Sequence, residues 1–224
     1  GLAGFILIML YIRDELSYDK HFKKADRIYR VVSNLDNKGV GERSASCIYK
    51  LGDDILELAP HLVENSVRFF NNWGANSIII QDEKIHLENR FYYTDPSVFE
   101  VFDVELIKGE KNALNQAFAV ALSESSAKRY FGDEDPIGKT LNLRKIEHTV
   151  TAVFKDCPNQ THFHWEILGS MLTLDSLYGK EKLSMNEVWN PFWTYVLLKE
   201  DVKDEQVSEL LNQNYVPFEK DSSV

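Results

Sequence analysis

Among the 224 residues, the stretch Gly132-Asp-Glu-Asp-Pro-Ile-Gly-Lys-Thr140 comes nearest to a chemical motif. Its glycines, lysine and threonine are those of a phosphate-binding loop, where backbone N–H groups cradle phosphate oxygens. Three features oppose that chemistry. Five residues separate Gly132 from Gly138, one too many for the motif. Asp133, Glu134 and Asp135 would repel a triphosphate. The stretch also leads from a predicted helix into a predicted strand, the reverse of the order that aims helix N–H groups at phosphate. It reads as a tight turn in which Gly138 takes an unusual backbone angle.

Two other groupings carry ligand-type atoms. His162-Phe163-His164 puts two imidazoles on one side of a predicted strand, and Glu166 continues that face. A metal site would need further ligands from elsewhere. A polar strand face beside Phe163, Trp165 and Ile167 accounts for the same pattern. Cys47 and Cys157 show no CxxC or Cys/His finger spacing, which argues against structural zinc. They could form one disulfide in an oxidising compartment, but two small buried apolar residues is the favoured reading. Ser, His and Asp are scattered along the chain without a GxSxG elbow, an HExxH pair or a reactive-cysteine context. No catalytic, cofactor-binding or metal-ligating residue is assigned, no cofactor is implied, and the expectation is a non-enzyme. Of the aromatic residues, Trp73 and Trp189 sit in loop-like settings where exposure would matter.

Net charge of −10 disfavours nucleic acid, whose phosphates demand Lys and Arg. It disfavours anionic lipid headgroups for the same reason. Apolar content of 44% and aromatic content of 12% suffice for a core. The length suits one large domain or two small ones.

The elements that must position these groups are interspersed. Ile28–Leu35 reads as a strand, closed by a turn at Asn37, Gly39 and Gly41. Ser44 is placed to cap a helix with the stripe Ile48, Leu51, Ile55 and Leu58, stopped by Pro60. Val63–Phe70 is strand-like, and Ser77–Ile80 with Lys84–Tyr93 suggests a hairpin around Asp82-Glu83. Asp95-Pro96 opens a short helix, with Asp95 as its cap. Strands are expected at Val104–Ile107 and Ala117–Leu122. Ser123 then begins a cap for a helix over 124–131 that ends at Gly132. Further strands fall at Thr140–Leu143 and His148–Phe154, and Phe163–Met171 reads as an apolar strand or strand-turn. Leu174–Asn190 reads as a loop with a short helix, and Phe192–Leu198 as a central strand. Asp204 caps a helix carrying Val207, Leu210 and Leu211, and Glu219–Val224 reads as a frayed end. Such interspersion favours α+β with antiparallel or mixed sheets.

The first residues, Gly1 to Ile12 (GLAGFILIMLYI), form an almost unbroken apolar run. It is shorter than the roughly 20 residues a bilayer demands. The favoured expectation is the outer end of a transmembrane helix cut short; a buried core helix and a signal-peptide core are the competing ones. A signal core would need a basic start and a small-residue cleavage site, and neither is present. The charged residues that follow suggest a solvated helical stalk with sparse apolar positions at Leu16, Phe22, Ala25 and Ile28. Residues 11–30 hold six basic and four acidic groups, an excess that by itself favours a cytoplasmic flank.

Three stretches together resemble one family. Asp14-Glu-Leu-Ser-Tyr-Asp-Lys20 with Ala25-Asp-Arg-Ile-Tyr-Arg-Val31 is similar to the segment after the first transmembrane helix of MacB-like ABC-transporter permeases, also called FtsX/MacB-type, of Bacteroidetes-like kind. Val120-Ala-Leu-Ser-Glu-Ser-Ser-Ala-Lys-Arg-Tyr-Phe-Gly-Asp-Glu-Asp-Pro-Ile-Gly-Lys-Thr140 resembles the family's central signature. Val150-Thr-Ala-Val-Phe-Lys-Asp156, Pro158 and His162-Phe-His164 resemble its following strands.

The resemblance implies a periplasmic core domain between the first two transmembrane helices of an inner-membrane permease. Its fold would be α+β and two-lobed: a mixed α/β lobe with an inserted smaller β-rich lobe. Residues 1–26 would be the helix end and stalk, 27–112 and 175–224 the first lobe, and 113–174 the second. The implied role is transmission of ATP-driven conformational change to periplasmic cargo or to a periplasmic partner protein. The implied partners are a cytoplasmic ATP-binding subunit, a second permease copy and the membrane through the N-terminal helix. A membrane-tethered ligand-binding or sensor domain is the alternative, and an extracellular hydrolase a third that lacks any motif.

Overall fold

Alternation along the strands decides this fold. Phe69 and Phe70 are neighbours and both buried, yet they enter different apolar clusters. The same split separates Ala119 and Ala121 from Val120 and Leu122. A period of two sends successive side chains to opposite faces, so one sheet is covered on both sides.

A computed structural model describes residues 1–15, 21–37, 40–71, 77–81, 84–185 and 191–214. Helix α1 (Leu2–Glu15) comes first, then a 3-10 turn (Ala25–Arg27) and strand β1 (Ile28–Arg30). The hairpin β2 (Ser33–Asn37) and β3 (Val40–Ser44) precedes α2 (Leu51–Leu58). Strands β4 (Val63–Phe70), β5 (Ser77–Gln81), β6 (Lys84–Glu88) and β7 (Phe91–Thr94) lead to α3 (Val98–Val101) and β8 (Leu106–Lys108). Next come β9 (Ala119–Ser123), α4 (Glu124–Phe131), β10 (Thr140–Leu143), β11 (Ile146–Phe154) and β12 (Ile167–Ser170). The described chain closes with α5 (Leu172–Tyr178), α6 (Lys180–Ser184), β13 (Phe192–Leu198) and α7 (Asp204–Asn214).

The main sheet has 11 strands in the order β1-β13-β4-β7-β12-β9-β11-β10-β5-β6, with β8 joined to β11. It is mixed: β7 runs parallel to β12 and β9 parallel to β11, while the other pairs are antiparallel. Strand β9, helix α4 and strand β11 make the crossover that parallel neighbours require. A third apolar cluster packs α2 and α7 over the ends of β4 and β13 through Ile55, Val63, Val196 and Val207.

Local signals fare well where the partners are near in sequence. Helix α4 has the expected bounds, the Ser123 hydroxyl accepts the Ser126 N–H as its N-cap, and Gly132 at φ 63° ends it. Strands β4 and β10 match residue for residue, and α2 stops before Pro60.

Other expectations are corrected. Ser44 does not cap α2; it ends β3, and the intervening chain is spent on a two-way backbone bridge between Cys47 and Phe192. The strand expected over Ile28–Leu35 breaks after Arg30, because β1 pairs with β13 while β2 leaves to join β3. Gly41 lies within β3 opposite Asp36, and residues 38 and 39 lie outside the described residues. Lys84–Tyr93 is two strands, since the Glu88 carboxylate accepts the Arg90 N–H and bends the chain there. Asp95 does not cap α3; its carboxylate is taken by Arg68. Of Phe163–Met171 only Ile167–Ser170 is strand, so His162 and His164 lack the strand geometry expected of them. Leu174–Asn190 contains most of α5 and all of α6, with residues 186–190 outside the described residues. Phe192–Leu198 is indeed a strand, flanked by β1 and β4 near one end of the sheet. The charged stalk does not run as one helix to Ile28: α1 is described as far as Glu15, residues 16–20 lie outside the described residues, and the chain is turning at 21–24. The hairpin β5–β6 hydrogen-bonds to β10. Trp73, Trp189 and Glu219–Val224 lie outside the described residues.

Candidate transmission site at the root of the apolar helix

From Leu2 to Ile12 the sequence of helix α1 is apolar around its whole circumference, and a helix stretch of that kind belongs in an apolar surrounding; Arg13, Asp14 and Glu15 follow it. Here Leu2, Phe5, Ile6, Leu7, Ile8, Met9 and Ile12 are 45–76% exposed. They project from the globule and do not fill its core. Fourteen residues rise about 21 Å, short of the roughly 30 Å of a bilayer's hydrocarbon core. Among the described residues, no helix is long and apolar enough to cross a membrane.

The chain after α1 is rooted deeply. Phe22 is only 8% exposed and stands edge-on to Phe102 at 5.2 Å and to Phe163 at 5.7 Å between ring centroids. Behind them Trp165 stacks on Phe69 at 5.4 Å. Polar contacts fix the following turn. Arg27 Nη1 donates to Glu64 Oε2 at 2.9 Å and to the Leu198 carbonyl at 2.8 Å, and Lys24 Nζ donates to the Glu100 carbonyl at 3.1 Å. These cations, part of the basic excess near the start of the chain, are therefore paired with groups of the domain itself, at its surface. Burying a phenyl ring contributes about 1.5–3 kcal/mol, against about 0–1 for an exposed ion pair. The aromatic root therefore dominates the attachment. From Arg27 the chain enters β1, which pairs with β13 in the main sheet.

Beside this root lies a groove of about 380 Å³, lined by Phe22, Phe102, Phe163 and Tyr195, with Arg30 and His162 as polar members. His162 thus faces the groove, whereas Glu166 enters an ion-pair network elsewhere. Among the described residues, no group of three or more His, Cys, Asp or Glu is arranged to hold a metal. The loop resembling a phosphate cradle is neutralised by its own chain. Glu134 pairs with Lys139, and Asp135 pairs with Lys108 at 3.1 Å while accepting the Ile137 N–H. Gly138 takes φ 79°, as its turn requires. Cys47 is buried and Cys157 half-buried in different clusters; both are free thiols, and burial pushes both up from the ordinary thiol range.

Sequence reasoning missed the buried polar groups. Arg68 holds Asp95 through two nitrogens, Nε at 2.9 Å and Nη2 at 2.8 Å, and its third nitrogen donates to the Tyr49 carbonyl. Its guanidinium lies 4.4 Å from the centre of the Tyr49 ring. The Tyr49 hydroxyl donates to Asp175, and burial together with that carboxylate pushes the phenol up. His148 is buried among Phe91, Tyr93 and Phe118, and burial lowers it despite a hydrogen bond with the Ile146 carbonyl. Only the isolated Arg in the otherwise apolar end of β4 could have signalled any of this.

Solved structures share this fold. A domain of a permease protein from Porphyromonas gingivalis superimposes with a TM-score of 0.68 at 24% identity, over 87% of this chain and 84% of that one. The periplasmic region of MacB from Actinobacillus actinomycetemcomitans gives 0.60 at 16% identity, over 84% of each chain. The extracellular domain of the noncanonic ABC-type transporter YknZ from Gram-positive bacteria gives 0.55 at 15% identity, over 82% of this chain and 88% of that one. Among curated proteins, none matches the sequence. The fold is thus the mixed α/β domain of those three structures. The family model described as MacB-like periplasmic core domain matches residues 1–214, and the chain belongs to that family. It is accordingly a non-catalytic periplasmic domain of an ABC-type permease.

Proposed function

We propose that this domain relays ATP-driven movement of membrane helices to periplasmic cargo or to a periplasmic partner protein. The observation that carries this reading is the pairing of a helix that is apolar from Leu2 to Ile12, its described side chains there exposed, with a deeply buried aromatic root at Phe22. In this reading α1 is the outer end of a lipid-embedded helix of an inner-membrane permease. A separate cytoplasmic subunit binds and hydrolyses ATP, and a second permease copy completes the assembly. Helix motion enters at Phe22 and is delivered through β1 and β13 to the sheet. The domain divides into a lobe of residues 27–112 and 175–224 and an inserted lobe of 113–174, with the β7–β12 pairing as the seam and the β5–β6 hairpin reaching across to β10.

The test uses the full-length permease reconstituted in vesicles with its ATP-binding subunit. A spin label on α7, paired with one at the membrane surface, should change its distance distribution on ATP binding. Phe22→Ala should blunt that change while ATP hydrolysis continues. A distribution that ATP leaves unaltered would overturn the relay.

A further inference from the structure

Four charged side chains from three separate parts of the chain, Glu88 with Arg90, Arg129 and Glu166, meet behind the hairpin that ends the main sheet. Glu88 closes β6 and is 4% exposed. Its Oε1 accepts the Arg90 backbone N–H at 2.8 Å, and its Oε2 accepts Arg129 Nη1 at 3.1 Å and the Tyr130 hydroxyl at 3.3 Å. Glu166 shares the same guanidinium. Its Oε2 accepts Arg129 Nη1 at 2.6 Å and the Ser126 hydroxyl at 3.1 Å, and its Oε1 accepts Arg90 Nη1 at 3.2 Å. One guanidinium nitrogen therefore serves two carboxylates. Two ionised carboxylates so placed repel each other, and one proton between them removes the repulsion.

We infer that Glu88 and Glu166 form a one-proton site that latches the β5–β6 hairpin to α4. In the latched state Glu88 carries the proton and donates it in a hydrogen bond to ionised Glu166, with Arg129 and Arg90 as counter-charges. The proton comes from solvent and returns to it. Burial, then the Glu166 charge, push Glu88 above the usual carboxylate range against the pull of the Arg90 N–H. Burial acts on Glu166 in the same sense, but the Arg129 hydrogen bond and charge and the Ser126 hydroxyl outweigh it and hold Glu166 low. The other groups facing the site are Tyr130 on α4, the His86 ring packed on Tyr130 at 5.2 Å, and Asp156, which binds the Ser125 hydroxyl at the start of α4. The outward positions of the latched strand are Ile85 and Leu87, 70% and 67% exposed, so the latch governs how firmly an aliphatic edge is displayed.

Glu88, raised on closure, stabilises the latch at low pH, and that contribution is lost as pH rises through its raised value. Glu166, depressed on closure, contributes at higher pH, and its share is lost as pH falls through its depressed value. Both contributions are complete together only near the ordinary glutamate value of about 4.3, so closure weakens from there upward. The test is carboxyl NMR titration of the whole chain alongside amide exchange of the hairpin, corrected for intrinsic rates. One glutamate should titrate above the ordinary range, vanish in Glu88→Gln, and move part of the way back in the isosteric Glu166→Gln, burial keeping the remainder of the shift. Hairpin opening should rise about tenfold for each unit by which closure raises that midpoint, and be flat with pH in Glu88→Gln. A Glu88 that titrates in the ordinary range, a raised midpoint that Glu166→Gln leaves in place, or hairpin exchange that ignores the titration would each overturn the latch.

Discussion

Arg68 is the side chain whose setting is least forgiving. It is buried, and among the described residues Asp95 is its one close, bidentate counter-charge, with Asp53 further off at 3.6 Å. Asp95→Ala leaves a buried guanidinium without that partner and should cost about 3–5 kcal/mol in urea unfolding. Lys155→Ala, which removes the exposed pair with Glu105, should cost at most about 1 kcal/mol in the same experiment. Comparable losses would refute the assignment of burial as the deciding factor. His148 gives a pH dependence. Its folded value lies below the ordinary one of about 6.5, so its contribution is present above that pH and lost as pH falls through the depressed folded value. The melting temperature of His148→Gln should therefore fall less than that of the natural chain on acidification from about pH 7. Glu88 acts in the opposite sense over part of that range, which is why the difference between the two proteins, and not either curve alone, is the quantity to compare.

At the scale of elements, backbone angle and space can be separated. Gly109 and Gly179 share φ +84°, but a Cβ at Gly109 would meet the Thr151 carbonyl oxygen at 2.5 Å, whereas at Gly179 nothing lies within 4 Å. Gly179, at φ 84° and ψ 122°, lies outside the left-handed α basin, and Gly179→Ala should cost that backbone strain alone, about 1–3 kcal/mol. Gly109→Ala should cost clearly more, because β8 must then move off β11; equal melting shifts would deny the close approach. Helix α4 was legible because its signals are local: a Ser123 cap, an apolar side at Ala127, Tyr130 and Phe131, and Gly132 at the end. Ser123→Ala should cost about 1 kcal/mol by thermal unfolding, the value of a lost N-cap. The start of α2 was misread for the opposite reason. What precedes it is set by the backbone bridge of Cys47 to Phe192, a partner far along the chain.

For the whole molecule, the root at Phe22 couples an apolar projection to the core. Phe22→Ala removes a buried ring and should lower stability by about 3–5 kcal/mol, measured by denaturant unfolding. A loss under about 1 kcal/mol would mean that the helix is hung on the domain and not built into it. The composition, the apolar start, the turn-bounded strands and the family likeness were all readable from the chain, because each rests on residues close together or on a long collinear match. The tertiary structure alone decided that Phe22 leaves the charged segment to join Phe102 and Phe163, that β7 crosses to lie parallel to β12, and that Glu88 and Glu166 share Arg129. Arg68 and Asp95 are 27 residues apart, and Arg129 and Glu88 are 41. Pairings at such separations leave no periodicity in the sequence, since a charge that will be buried and a charge that will face water are written with the same residue. Only the packing of the strands around them sets the dielectric and the neighbours that tell the two apart.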